Sequence, residues 1–98
     1  MSLPLRFRPQ VTFEVDAIRA HYDRQWVDLG DEFLAEYQQL LDRIEDNPYL
    51  DGEVRGAVRA GPLHRFPYVC YYEIHSDHVV VLTVVHGRRS PIIWQRRV

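Results

Sequence analysis

The pattern of apolar and polar residues divides the chain into a helical first half and a strand-rich second half. Leu3, Leu5 and Phe7 alternate with polar residues, which predicts a short, half-buried strand. Apolar residues then recur at helical spacing in two successive segments, which predicts two helices. The first apolar stripe comprises Val15, Ile18, Tyr22 and Trp26, and the second comprises Phe33, Leu34, Tyr37, Leu40, Leu41 and Ile44.

Local signals set the expected limits of these helices. Thr12 is a suitable N-cap for the first helix, because Glu14 then falls in the first turn, where the helix dipole favours acids. Leu29-Gly30 is expected to end that helix, and the second should run from about residue 31 to 46. Asn47-Pro48 stops it, since a residue before proline disfavours helical geometry. The short connection predicts an αα-hairpin.

The second half predicts three strands. Residues 49–56 read as a loop, and residues 54–66 alternate weakly around Gly61-Pro62, as in an edge or bulged strand. Residues 68–75 and 78–85 are the clearest strands, with Ser76-Asp77 as the hairpin turn between them. The element order predicts an α+β fold: a short N-terminal strand, a helical hairpin, and a three-stranded antiparallel β-sheet with the helices on one face.

Composition describes an ordinary globular chain. With 98 residues, 46% hydrophobic and 27% charged, residues 1–98 are expected to form a single domain. No apolar run is long enough to span a bilayer, and the first residues do not resemble a secretory signal, so we expect a cytoplasmic protein without membrane contact. The lone Cys70 excludes a disulfide framework and reads as a buried, inert thiol.

Charge is distributed unevenly. The formal net charge is −2, but residues 1–53 sum to −7 and residues 54–98 to +5. All twelve basic residues are arginine, whose planar fork suits carboxylate and phosphate groups, although base composition of the coding sequence explains missing lysines equally well. The basic half therefore indicates where an anionic partner would bind.

The sharpest candidate for chemistry lies at the C-terminal end. His86 could accept a proton from an RNA 2′-hydroxyl while Arg65 and Arg88 stabilise the phosphate, a catalytic set only if the protein is a nuclease. Alternatively, His86 forms a hydrogen bond at the strand end and the arginines pair with acids. The residues expected to bind a partner are Arg59, Arg65, Arg88, Arg89, Trp94 and Arg97.

Two further groups have competing interpretations. Arg59 and Arg65 would form a basic patch with the C-terminal arginines, or a solvated edge that deters aggregation. His75 to His78 have spacing that could indicate a metal site, but polar residues are typical of hairpin turns and the ligand set is incomplete. We interpret them as a turn, and no cofactor or metal is expected.

Three stretches of the chain, taken in order, form a recognisable set of motifs. They are Leu29-Gly30-Asp31-Glu32-Phe33-Leu34 with Ile44 and Asn47-Pro48; Leu63-His64-Arg65-Phe66-Pro67-Tyr68 with Tyr72; and His86-Gly87-Arg88-Arg89-Ser90-Pro91 with Trp94. Together they resemble the RelE/ParE superfamily of type II toxin–antitoxin toxins, most closely the ParE-like and plasmid-stabilisation branch, and the resemblance covers nearly the whole chain.

The resemblance implies a growth-inhibiting toxin that a cognate antitoxin neutralises in a hetero-oligomer. ParE-like members poison DNA gyrase without obvious chemistry, whereas RelE-like members cut mRNA on the ribosome. Val69 stands where the mRNA-cutting branch usually has arginine, and Trp94 replaces a tyrosine and cannot transfer a proton. We therefore expect a non-hydrolytic gyrase poison. The alternatives are a metal-independent mRNA endonuclease, ribosome-dependent or free, and an inactive relative that only binds its partner.

Overall fold

Two helices pack on one face of a mixed five-stranded sheet in the computed structural model, which describes residues 2–88. The order along the sheet is β1-β5-β4-β3-β2, with β1 parallel to β5 and every other pairing antiparallel. The elements are β1 (Leu5–Phe7), α1 (Pro9–Asp23), α2 (Leu29–Asp46), β2 (Gly52–Arg55), β3 (Val58–Pro62), β4 (Tyr68–Ile74) and β5 (Val79–His86).

The α+β class and the helical hairpin are confirmed, but the prediction of a three-stranded antiparallel sheet is wrong. β2 lies within the stretch predicted to be a loop, and all four of its residues are exposed, so no apolar alternation marks it. β1 joins the same sheet through a parallel pairing that places Phe7 opposite Val81. Strand pairing across more than 70 residues leaves no local signal in the sequence.

The N-terminal half of the hairpin begins earlier than predicted. α1 starts at Pro9, whose missing N–H and fixed φ suit the first helical turn, and Arg8 is the N-cap, so Thr12 caps nothing. The helix also ends at Asp23, which leaves Trp26 in the connection with 72% of its surface exposed. The prediction that Trp26 belongs to the core is therefore wrong.

Gly30 lies inside α2 rather than ending α1. Its backbone N–H donates to Asp23 Oδ1 at 3.0 Å, and a Cβ at this position would lie only 2.7 Å from the Arg19 carbonyl oxygen. The glycine thus allows α2 to start in close contact with α1. In this part of the fold the glycine signals close helix packing, not a break.

The core lies mainly between the hairpin and the sheet. As predicted, α2 buries Phe33, Tyr37, Leu40, Leu41 and Ile44 there, together with Val15, Ile18 and Tyr22 of α1. Side chains alternate along β4: Tyr72 faces the helices, while Tyr71 joins Val58, Leu82 and Val85 on the opposite face. Burial raises the pKa of the Cys70 thiol to about 12. Within residues 2–88, neither helix is long and apolar enough to cross a bilayer.

Asp51 ties the region around β2 to the rest of the fold. Both of its carboxylate oxygens accept hydrogen bonds from the Arg43 guanidinium of α2, at 2.9 and 2.8 Å. The Tyr72 hydroxyl donates to Asp51 Oδ2 and to the Pro48 carbonyl, both at 2.8 Å. Desolvation, followed by the hydrogen bond to Asp51 and the charge of that carboxylate, raises the pKa of Tyr72 far above its ordinary value. A segment predicted as a plain loop therefore carries a partly buried polar network.

The hairpin between β4 and β5 turns where predicted. The backbone N–H of His75 donates to the His78 carbonyl at 2.8 Å, which closes the turn around Ser76 and Asp77. The two imidazole rings stack at 4.6 Å, and each bonds to a neighbouring carboxylate, Glu73 for His75 and Asp77 for His78. Within residues 2–88, no group of three or more histidine, cysteine or acidic residues is arranged to hold a metal ion.

Candidate functional site

His86 ends β5 beside Tyr68, which begins β4. The two rings meet edge to face with their centroids 5.5 Å apart. The backbone N–H of Arg88 donates to His86 Nδ1 at 3.2 Å, so a neutral ring carries its proton on Nε2. Gly87 N–H donates to the Pro67 carbonyl at 2.9 Å. This turn fixes the half-buried imidazole at the end of the sheet.

A groove of about 550 Å³ separates this end of the sheet from α1. Its helical wall is formed by one stripe of α1, and its strand wall by the ends of β4 and β5. The lining residues are Glu14, Ala17, Ile18 and His21 of α1, with Tyr68, Val84, Val85 and His86 of the strands. The groove therefore places two imidazoles, a phenol and a carboxylate around one concave surface.

Glu14 holds α1 against β5. Its carboxylate accepts hydrogen bonds from the Thr83 hydroxyl, at 3.0 and 2.9 Å, and from the Val84 backbone N–H at 3.1 Å. Thr83 is fully buried, so the carboxylate satisfies a hydroxyl that has no access to water. Because α1 begins at Pro9, Glu14 falls in its second turn, facing the strand, and does not serve the helix terminus as the sequence predicted.

Arg65 is bound to α2. Its guanidinium forms a salt bridge with Glu32 at 2.5 Å and lies 5.5 Å from the centroid of the Phe66 ring. Hydrogen bonding to Glu32 raises the pKa of Arg65 above its ordinary value. Glu36 accepts hydrogen bonds from the backbone N–H groups of His64 and Arg65, so α2 holds the whole β3–β4 loop. Among residues 2–88, no hydrogen bond or ring contact joins Arg65 to His86.

The other predicted arginines are distributed over separate places. Arg59 donates to the Asp51 carbonyl at 2.6 Å and to the Tyr49 carbonyl at 3.4 Å, and lies over the Tyr49 ring, which fastens β3 to the chain before β2. Arg88 is exposed in the turn after β5. The remaining predicted binding residues, Arg89, Trp94 and Arg97, lie outside the described residues.

His21 is the residue of this groove that sequence reasoning missed. It shares a helical stripe with Glu14, Ala17 and Ile18, at spacings of three, four and seven residues, so the pattern could have placed it beside Glu14. Its Nε2 lies 2.7 Å from Gln25 Nε2, and its ring packs edge to face on Tyr22. What the sequence lacked was any sign that this stripe faces the end of β5.

Both the sequence and the fold of this chain are similar to those of known toxin proteins. Residues 5–91 match the family described as "ParE toxin of type II toxin-antitoxin system, parDE". A chain of the chromosomal ParDE TA system from P. aeruginosa superposes with a TM-score of 0.62 at 15% identity, covering 87% of this chain and 96% of that one. No curated protein sequence matches. At that identity the structural match supports the fold, while the family match spans most of the sequence: the chain belongs to the ParE toxin family.

Proposed function

We propose that this protein is a toxin that poisons DNA gyrase through protein–protein contact, and that a cognate antitoxin neutralises it by binding. Membership of the ParE family supports the toxin role. The observation that favours contact over hydrolysis is the separate engagement of Arg65 and His86, two of the three predicted catalytic residues; the third, Arg88, lies in the turn beside His86. Arg65 is held by Glu32 of α2, and His86 by the backbone of its own turn.

RNA cleavage would require these groups to meet around one phosphate. A general base must lie within hydrogen-bond reach of the 2′-hydroxyl, and a cation must lie beside the developing negative charge. Moving Arg65 to the imidazole would break its pair with Glu32 and leave that carboxylate without its cation. The arrangement therefore suits a surface that recognises a partner.

The exposed residues available for contact lie at two places. Arg88 begins the C-terminal basic segment, in which Arg89, Trp94 and Arg97 remain proposed contact residues. The second place is the connection between α1 and α2, where Trp26 and Val27 expose 72% and 79% of their surfaces. Aromatic and arginine side chains contribute disproportionately to binding energy at protein interfaces, so both places are candidates for gyrase or antitoxin contact.

One observation favours the endonuclease alternative. The groove beside α1 contains His21 and His86 together with Tyr68, and all three are residue types that transfer protons in catalysis. A ribosome-dependent or free mRNA endonuclease would then rely on imidazoles rather than on Arg65. This alternative predicts that His86→Ala and His21→Ala each abolish growth arrest, whereas a contact poison tolerates them.

The test is expression of the toxin alone in a tightly controlled host, with two outputs read together. DNA breaks with an SOS response and intact mRNA support the gyrase proposal. Cut messages with undamaged DNA would overturn it in favour of the endonuclease. Normal growth with a folded protein would indicate the inactive relative. Removal of residues 91–98 should abolish arrest if the C-terminal segment makes the contact, and His86→Ala serves as its comparison.

A further inference from the structure

The connection between α1 and α2, residues 24–28, carries two adjacent apolar side chains that lie outside the core. Trp26 and Val27 are both mostly exposed, and no other neighbouring pair of large apolar residues within residues 2–88 is exposed to the same extent. Single apolar residues are ordinary at a protein surface, whereas contiguous apolar surface is a mark of interaction sites. We call Trp26 and Val27 the hairpin tip.

Hydrogen bonds fix the backbone of the hairpin tip. The Trp26 N–H donates to the Tyr22 carbonyl at 3.1 Å, and the Trp26 carbonyl accepts from the Leu29 N–H at 3.2 Å. Asp28, at the N-cap of α2, takes the left-handed conformation with φ at 65°. Within residues 2–88 it is the one non-glycine residue with positive φ. Backbone held in such a sparsely populated region is typical of binding sites.

Side chains of both helices clamp the base of the hairpin tip. Arg19 of α1 forms a salt bridge with Asp31 of α2 at 2.8 Å, and its Nε lies 3.7 Å from the Asp23 carboxylate. Asp23 also accepts the Gly30 N–H, so the end of α1 and the start of α2 are joined on either side of the turn. Because the tip is already held in place, a partner that binds it loses little free energy in ordering the chain.

The hairpin tip projects from the acidic part of the chain. Residues 9–46, which form the helical hairpin, contain three arginines and ten acidic residues, a net charge of −7. Asp28 lies exposed beside the tip. An enzyme that binds DNA presents a positively charged surface to the phosphate backbone. The helical hairpin and such an enzyme are therefore complementary in charge, which favours their encounter.

We propose that Trp26 and Val27 anchor this toxin to its topoisomerase, in an apolar pocket next to the basic DNA-binding surface of the enzyme. This rests on the proposed poisoning of gyrase. A rigid projection fits a preformed pocket on a folded protein, whereas an unfolded peptide segment needs a groove on the toxin to receive it. Tryptophan is among the residues that contribute most to binding energy at interfaces. The hairpin tip therefore suits the enzyme better than the antitoxin.

Alanine substitution of Trp26 tests this contact. Phe13→Ala is the matched control, because Phe13 is a similarly exposed aromatic residue, 74% against 72%, near the other end of α1. Neither side chain belongs to the core, so both variants should melt at the wild-type temperature. The affinity of each variant is measured for the purified gyrase–DNA complex and, separately, for the antitoxin polypeptide that is co-produced with the wild-type toxin.

We expect Trp26→Ala to bind gyrase about thirtyfold or more weakly than Phe13→Ala, as for a central anchor residue. The two variants should bind the antitoxin equally. Equal binding of both variants to gyrase would overturn the assignment while leaving gyrase poisoning intact, and a loss confined to the antitoxin would overturn it in favour of that partner. A wild-type toxin that neither binds nor inhibits gyrase would instead overturn the proposed function, and this inference with it.

Asp28→Asn tests the charge complementarity. Asparagine tolerates the left-handed conformation, so the backbone of the hairpin tip should be unchanged while one negative charge beside it is lost. We expect association with gyrase at low salt to slow by about twofold or more, and the difference from the wild type to disappear at high salt. Equal association rates at low salt would overturn the pairing of the tip with a basic surface.

An apolar tip could also pair with a second copy of this chain. Sedimentation of the wild-type toxin and of Trp26→Ala over a range of concentrations separates the two cases. Both proteins should be monomers at every concentration. A wild-type dimer that Trp26→Ala abolishes would overturn the assignment of the hairpin tip to gyrase.

Discussion

Replacing Asp51 with alanine should destabilise the fold by more than any ordinary surface substitution. The carboxylate is the common acceptor of Arg43 and Tyr72, and its side chain is only 11% exposed. Its removal leaves the Arg43 guanidinium without its partner at the end of α2. Tyr72 keeps its second acceptor, the Pro48 carbonyl, so the hydroxyl itself is not left unsatisfied.

The structure determines the size of the effect. A hydrogen bond to a charged group contributes about 1.5–3 kcal/mol, and leaving a buried charge unpaired costs about 3–5 kcal/mol. The Arg43 side chain is 36% exposed, so water screens part of its charge. The loss should therefore be closer to that of a charged hydrogen bond than to that of a fully buried, unpaired charge. We expect Asp51→Ala to lower the free energy of unfolding by about 2–3 kcal/mol. In a domain of this size that lowers the Tm by roughly 10–20 °C.

Urea and thermal unfolding followed by circular dichroism measure this change. Asp16→Ala on the exposed face of α1 is the matched control and should change stability by less than about 0.5 kcal/mol. A double-mutant cycle with Arg43→Ala should give a coupling energy of about 1–2 kcal/mol between the two side chains. If Asp51→Ala is as stable as Asp16→Ala, or if the coupling energy is zero, the contacts of Asp51 do not stabilise the fold as proposed.

Three further predictions concern the helix contact, pH and the antitoxin. Gly30→Ala should cost about 1–3 kcal/mol in chemical denaturation, since its Cβ would meet the Arg19 carbonyl, whereas Gly52→Ala, with open space around it, should be nearly neutral. Stability should fall as the pH rises above about 9, because the unfolded chain then releases protons that buried Cys70 and Tyr72 retain. Each such proton contributes up to about 1.4 kcal/mol per pH unit, so melting temperatures that stay constant from about pH 9 to pH 11 would contradict this. If the basic half of the chain attracts an acidic antitoxin segment, the affinity for the antitoxin should fall as the salt concentration rises. An affinity that does not change with ionic strength in a titration would count against electrostatic binding.

The sequence predicted those elements whose own residues form a complete pattern. The α2 stripe is such a case, because Phe33 to Ile44 repeat at helical spacing and all pack on the sheet. β4 and β5 were equally clear, since both are dense in β-branched and aromatic residues around a polar turn. In these segments burial and local propensity point to the same structure.

The sequence failed where distant parts of the chain decide the structure. Nothing near β2 marks it as a strand, because its partner β3 supplies the pairing. Trp26 satisfied the helical spacing of α1, yet the helix ends three residues before it. The partner of Arg65 is Glu32, 33 positions earlier, so its engagement by α2 became visible only in the folded chain.

The candidate site was only partly predictable for the same reason. His86 stood out because a titratable residue follows a strand directly. The groove needed His21 and Glu14 as well, and their positions depend on how α1 crosses the end of β5. A helix start shifted by four residues, from an N-cap at Thr12 to one at Arg8, changes the role of Glu14 from a helix-terminus acid to a side chain that supports the sheet edge.

A supercoiling assay with purified DNA gyrase, relaxed plasmid and this toxin tests gyrase poisoning most directly. We expect the toxin to inhibit supercoiling and to trap cleaved DNA, the antitoxin to reverse both effects, and His86→Ala to retain them. A folded toxin that leaves gyrase fully active at a large molar excess would show that this protein is not a gyrase poison.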